Sequence, residues 1–176
     1  QKLFSTAYIL SKYKSEDNLK TSLLKTRSNK YYLLGQGDPD LNYKDIYELI
    51  SQISYSDNIN LFIAEIDSNL YWPKGWTKKD KLYEYGSPIT TLAIESNQKE
   101  FENIEKLTKL IENYLKLKFP NSKINVKKID YGEIYYIKNT KTIGTINSNP
   151  IVSLLTLINS ESHNFTAESL FKNASN

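Results

Sequence analysis

The 176-residue chain contains no cysteine and a single histidine, His163. Without cysteine it can hold no disulfide, no thiolate metal site and no thiol nucleophile. With one histidine it has no His-rich zinc site, and no triad whose base is a histidine elsewhere in the chain. No apolar run approaches the length of a membrane span, and no segment reads as a signal peptide. Charge of one sign is also scarce. The formal net charge is +3, whereas a nucleic-acid binder carries a larger and more clustered excess. The lysines at 74, 78, 79 and 81, and at 116, 118, 123, 127 and 128, read first as solvated faces, with an anionic ligand as the lesser alternative.

What is present suits a folded domain, or a domain with an insertion. Apolar residues make up 39% and charged residues 24% with mixed sign, which is a globular and not a disordered composition. The chain starts on Gln1, not on Met, and Gln1 to Leu10 already reads as the inside of a helix, so residues upstream are expected.

Apolar spacing organises the rest. Leu3, Phe4, Ala7 and Leu10 predict a helix to about Tyr13. Leu19 to Leu24 and Lys30 to Leu34 predict two short strands around a turn at Ser28-Asn29. Gly35-Gln36-Gly37-Asp38-Pro39 is a loop. Asn42 caps a helix to about Ile53, with Ile46, Leu49, Ile50 and Ile53 on one face. Ile59 to Ile66 reads as a buried strand, Ser68 to Ser87 as a long irregular segment, and Pro88 to Ile94 as a further strand. Phe101, Ile104, Leu107, Ile111, Tyr114 and Leu115 form the stripe of a helix from Gln98 to Lys118, with outer pairs Glu102–Lys106 and Glu105–Lys109. Ile124 to Ile129 and Glu133 to Ile137 read as a strand pair about Tyr131-Gly132. Pro150, capped by Asn149, opens a helix that buries Ile151, Leu154, Leu155 and Ile158. It stops near Ser160, and another starts at about Phe165.

Three patterns carry chemistry. The first is Ser-x-x-Lys, which places a serine and a lysine on one helical face. That lysine can take the serine proton only if its own pKa is depressed. Ser11–Lys14, Ser22–Lys25 and Ser169–Lys172 all match, and none has the context of a nucleophile. The second is Ser-x-Asn. Ser56-Asp57-Asn58 is explained by a polar turn. Ser162-His163-Asn164 falls in a break between two apolar helices, where side chains can project into a cleft, although Ser and Asn are also ordinary helix caps. The third is the segment from Trp72 to Tyr85. Its two tryptophans, Tyr83, Tyr85 and Asp80 can line an aromatic pocket with one acid, or simply anchor a long loop.

Read in order, these pieces resemble a known family. Gln1-Lys2-Leu3-Phe4-Ser5-Thr6-Ala7 is similar to the nucleophile helix of class C low-molecular-mass penicillin-binding proteins, the D-alanyl-D-alanine carboxypeptidase/endopeptidase family. There Ser-x-x-Lys is followed by Leu-Phe-Thr-Thr-Ala. Tyr32 to Leu41 resembles that family's Gly-x-Gly-Asp-Pro-x-Leu block. Gly75-Trp76 through Asp80, then Tyr85-Gly86-Ser87-Pro88-Ile89 and Leu92, resembles its Gly-Trp…Asp…Ser/Ala-Pro stretch. Leu157 to Phe165 with Ala167-Glu168 resembles its Asn-x-x-Ser-x-Asn-Phe/Leu-x-Ala-Glu. The chain departs from the pattern at His163, where Asp is usual, and it has no Lys-Thr/Ser-Gly. Lys141-Thr142-Ile143-Gly144 has an extra residue and precedes Ser-x-Asn, so it is not that motif.

The resemblance implies an α+β fold: part of a serine β-lactamase/penicillin-binding-protein-like catalytic domain with an inserted α+β domain. Residues 1–20 and 145–176 would belong to the catalytic part and 21–144 to the insertion. Lys2 would be the motif lysine and general base, with the serine two residues before Gln1. Ser162 would relay a proton and Asn164 hold the substrate amide, while Trp76, Asp80 and Tyr85 would meet the substrate's diamino-acid side chain. The partners implied are a peptidoglycan stem peptide and β-lactam inhibitors, with no metal, cofactor, nucleic acid or membrane span. The location implied is the periplasm or cell envelope. The alternative is a non-catalytic module, or a dead relative, that only binds cell-wall peptides.

Overall fold

The computed structural model describes residues 2–97 and 104–175. Helix α1 spans Lys2–Leu10, and strands β1 (Asn18–Thr26) and β2 (Lys30–Gly35) follow. The turn between the strands places Asn29 at φ 57°, a conformation Asn tolerates better than most residues. Helix α2 (Tyr43–Ser51) leads to β3 (Asn58–Glu65), and α3 (Ile104–Lys118) leads to β4 (Lys123–Asp130). Strand β5 (Thr140–Pro150) runs into α4 (Ile151–Ser160), and α5 (Asn164–Ser175) ends the description.

The five strands form one mixed sheet in the order β4-β3-β2-β1-β5. β1 is antiparallel to both β2 and β5, whereas β2, β3 and β4 run parallel. Parallel neighbours need a crossover, and α2 and α3 supply the two crossovers. Both helices pack on the same sheet face. Ile46, Leu49 and Ile50 of α2 and Leu107, Ile111 and Leu115 of α3 share one apolar cluster with Leu23, Leu33, Leu61, Ile63 and Val126. The start of α2 is fixed by a reciprocal cap. Asn42 accepts from the Asp45 amide, and the Asp45 carboxylate accepts from the Asn42 amide.

A second cluster joins Ile9 of α1, Leu19 of β1, Ile151, Leu154, Leu155 and Ile158 of α4, and Leu170 and Ala174 of α5. β1 therefore serves both clusters: Leu19 faces the helices and Leu23 faces the α/β layer, with buried Thr21 between them. A third, small cluster packs Phe165 of α5 against Ile89 and Ala93.

The structure corrects several sequence expectations. In α1 the buried residue is Ile9, while Leu3 and Phe4 are 77% and 83% exposed and Leu10 also faces out. Helical spacing marks a stripe without saying what covers it. Residues 88–94 are not a strand. Their polar backbone is satisfied elsewhere: Thr91 donates its N–H to the Glu65 carboxylate and accepts at its carbonyl from Gly37 N–H. Residues 131–136 form a 3-10 turn instead of a returning strand, because Asp130 and Glu133 cap it reciprocally. The strand that the apolar pattern does not reveal is β5, an edge strand with mostly exposed residues. Pro150 ends β5 and sits at the N-cap of α4, and the Asn149 side chain is directed to Asp40. The expected start of α3 at Gln98, with Phe101 and the Glu102–Lys106 pair, lies outside the described residues.

Candidate active site

Lys2 opens α1, and its half-buried side chain carries an ammonium that has no hydrogen-bond partner among the described residues. Burial disfavours the charged form and lowers the Lys2 pKa from its ordinary value. Three contacts fix the position of α1. Thr6 Oγ1 donates to Asn159 Oδ1 at 3.4 Å, Tyr8 OH donates to the Ala174 carbonyl at 3.3 Å, and the Tyr8 and Phe171 rings lie 5.1 Å apart.

The break between α4 and α5 faces the head of α1. Helix α4 closes at Glu161, whose N–H donates to the Leu157 carbonyl. Ser162 then takes φ 58°, the left-handed turn that usually falls to glycine. For serine this strain costs on the order of 1–2 kcal/mol. Strain of this kind persists where the surroundings over-determine it, which is common at binding and catalytic positions. His163 caps the next helix: its Nδ1 lies 2.6 Å from Thr166 Oγ1 and 3.4 Å from the Thr166 amide, which donates to it. Asn164 is the first residue of α5 and is half-buried, while Ser162 is exposed.

Electrostatics ties the break to α1. The pKa of His163 is lowered first by burial and then by the charge of Lys2, with Asp40 opposing. The imidazole is therefore neutral at pH 7. Asp40 in turn accepts from Asn149 Nδ2 at 2.7 Å, next to the N-terminus of α4. Lys2, His163 and Asp40 thus lie in one charged neighbourhood at the meeting of α1, α5 and the Gly35–Pro39 loop. In the sequence that segment reads as a loop and as part of the block resembling Gly-x-Gly-Asp-Pro-x-Leu, with nothing to link Asp40 to Lys2 or His163.

The aromatic segment has a different organisation. The Asp80 carboxylate accepts from the Thr77 N–H and Oγ1 at 2.7 and 2.6 Å, and from Tyr85 OH at 3.4 Å. The two bonds from Thr77 lower its pKa. Tyr85 stacks on Tyr83 at 5.3 Å, Trp72 Nε1 donates to the Gly86 carbonyl, and Lys81 sits over the Trp72 ring at 4.4 Å. Asp80 and Tyr85 therefore meet, and Trp76 makes no hydrogen bond to either. None of the hydrogen bonds of these three side chains reaches Lys2, Ser162 or Asn164. The segment is held together mainly by its own side chains.

Sequence reading missed the buried carboxylates. Glu65 ends β3 and is fully buried. It accepts from the amides of Ile66 and Thr91 and from Thr91 Oγ1. Burial nevertheless raises its pKa. Asp38 is 3% exposed, and burial pushes its pKa up to about 6 although the Asp40 amide donates to it. Glu65 does not stand out in a sequence with twenty acids, and Asp38 is legible as the acid of the Gly-x-Gly-Asp-Pro-x-Leu resemblance but not as a buried one. Among the described residues no group of three or more His, Cys, Asp or Glu is placed to hold a metal ion, and no helix is long and apolar enough to cross a membrane.

The sequence matches no protein-family model and no curated protein. The fold does match solved structures. The crystal structure of penicillin binding protein 4 from Haemophilus influenzae superposes with a TM-score of 0.71 at 15% identity, over 98% of this chain and 55% of that one. A predatory endopeptidase from Bdellovibrio bacteriovorus, solved with an immunity protein, gives a TM-score of 0.45 at 16% identity, over 98% and 47%. The first match establishes a likeness of fold, an α+β arrangement shared with a penicillin-binding protein. The chain spans about half the length of that structure.

Proposed function

We propose that this chain is an internal part of a class C low-molecular-mass penicillin-binding protein. In this reading the whole protein is a serine-type D-alanyl-D-alanine carboxypeptidase of the cell envelope, acting on peptidoglycan stem peptides and trapped by β-lactams. Residues 1–20 and 145–176 belong to its catalytic domain and residues 21–144 to an insertion. Strands β1 and β5 run through both junctions. The nucleophile is a serine two positions before Gln1.

The observation that carries the reading is the Lys2 ammonium: buried, without a hydrogen-bond partner among the described residues, depressed in pKa, and electrostatically coupled to the break that holds Ser162-His163-Asn164. A desolvated lysine is the form that can act as a base near neutral pH. In the proposed reaction Lys2 takes the proton of the serine hydroxyl. The serine oxygen bonds to the carbonyl carbon between the two D-alanines. As the tetrahedral intermediate collapses, the carbon–nitrogen bond breaks, and a proton relayed through Ser162 reaches the leaving amine. Asn164 holds the substrate amide. Water then attacks the acyl-enzyme and returns the serine. Oxyanion donors come from backbone amides outside this chain. Trp76, Asp80 and Tyr85 are assigned to the substrate's diamino-acid side chain. Asp80 has satisfied much of its accepting capacity within its own loop, so substrate would compete with Thr77 for it.

The test is labelling of the full-length protein with a fluorescent penicillin. Covalent labelling is expected, and the 176-residue chain alone is expected not to hydrolyse D-Ala-D-Ala peptides. An intact full-length fold that takes no label would remove the acyl-enzyme mechanism and leave a non-catalytic peptide-binding module.

A further inference from the structure

Strands β2, β3 and β4 run parallel, so their carboxyl ends lie on one side of the sheet. A cavity of about 160 Å³ lies there. Gly37 after β2, Ile66 after β3 and Tyr131 after β4 line it, and α5 closes it with Ser169, Lys172 and Asn173. The outer carboxyl ends of parallel strands are where open α/β sheets receive ligands.

The lining has an asymmetric supply of hydrogen bonds. Ser169 Oγ already donates to the Gly37 carbonyl at 2.7 Å. Asn173 Nδ2 donates to the carbonyls of Gln36 and Ser169 at 2.6 and 2.9 Å. Thr91 is committed to Ala64 and Glu65. What is left over includes the Asn173 Oδ1 acceptor and several donors. The Lys172 ammonium has one partner among the described residues, the Leu70 carbonyl at 3.3 Å, and it can make three hydrogen bonds. The hydroxyls of Tyr13 and Tyr131, both in the lining, have no acceptor among the described residues. Burial lowers the Lys172 pKa and the Glu65 carboxylate opposes that shift from a distance, while the acceptors of Glu65 are taken by the amides of Ile66 and Thr91. Ile66 and Ile89 provide an apolar wall.

A cation, surplus phenolic donors and an apolar wall around so small a volume select an anion with a short apolar tail. We propose that this cavity is a binding site for a small carboxylate, with Lys172 as its charge partner. None of these residues has a part in the proposed acyl transfer.

The test is an NMR titration of the isotope-labelled full-length protein with sodium propionate, and separately with propionamide, which has the same shape and no charge. Propionate is expected to give saturable shifts at the amides of Gly37, Thr90, Tyr131 and Asn173. Propionamide is expected to bind at least about tenfold more weakly, as for the loss of one charged hydrogen-bond pair. Lys172→Gln should weaken propionate by at least about tenfold while the spectrum keeps its dispersion. Tyr131→Phe, which leaves the charge in place, should weaken it by a smaller factor. Equal binding of propionamide, an unchanged propionate affinity in Lys172→Gln, or no saturable shift across the millimolar range would each overturn the assignment.

Discussion

The ammonium of Lys2 and the ring of His163 are coupled across the gap between α1 and α5: the charge of the lysine helps to hold the imidazole below its ordinary pKa. The two residues are 161 positions apart and come together because α1 and α5 pack side by side, with Tyr8 against Phe171 further along.

This coupling is measurable because the chain has one histidine. Removing the lysine charge with Lys2→Met should raise the His163 pKa in an NMR titration. Burial, the larger cause, stays in place. An unchanged or lower His163 pKa in the variant would contradict the coupling.

Asp38 sets a pH dependence of stability. Its pKa is near 6 in the folded chain against an ordinary value of 3.8, so the folded state holds its proton more tightly. The stabilisation is complete below about pH 4 and is lost as pH rises through 6. Asp38→Asn should therefore be more stable than the parent at pH 8, by on the order of 2 kcal/mol, and about equal to it at pH 4. Urea unfolding at the two pH values reads this directly, and a difference of the same size at both would reject it.

Gly37 and Ser169 form a second coupled pair. Gly37 has φ +71°, and a Cβ there would collide with Ser169 Oγ, while Ser169 Cβ would stand at 3.7 Å. Gly37→Ala should cost about 2 kcal/mol or more, combining left-handed strain with the clash. In a Ser169→Ala background its cost should fall, leaving left-handed strain of about 1 kcal/mol and a 3.1 Å approach to the Thr90 carbonyl oxygen. Additive costs in a double-mutant cycle would show that the clash is relieved elsewhere.

Thr21 is wholly buried on β1 between the two large clusters, and its hydroxyl has no hydrogen-bond partner among the described residues. Thr21→Val keeps the shape and removes the unsatisfied group. It should stabilise the chain by about 1 kcal/mol in urea unfolding. A loss of stability would mean that the hydroxyl is satisfied in solution.

The sequence shows much of this fold where local chemistry and burial agree. Asn42 announces α2, the run from Ile59 announces β3, and Ile151, Leu154, Leu155 and Ile158 announce α4. It misleads where a tertiary partner overrides the pattern. Ile89 and Leu92 look like strand residues, yet the Glu65 carboxylate takes the Thr91 amide that a ladder would need. β5 escapes notice because an edge strand with little burial carries a weak apolar alternation. At the candidate site, the break at Ser162 is legible as the gap between two apolar helices. The neighbourhood of Lys2, His163 and Asp40 is not, since it depends on how three distant segments pack.

In the proposed function Lys2 serves a serine two residues upstream of Gln1, in concert with the helix break. The most direct test of this role is mass-spectrometric peptide mapping of the full-length protein after exposure to penicillin, alongside its Lys2→Met variant. One penicilloyl adduct on that serine is expected in the parent protein, with acylation slowed by at least about a hundredfold in the variant, as for loss of a general base. An adduct on another residue, no adduct, or equal acylation of the variant would contradict it.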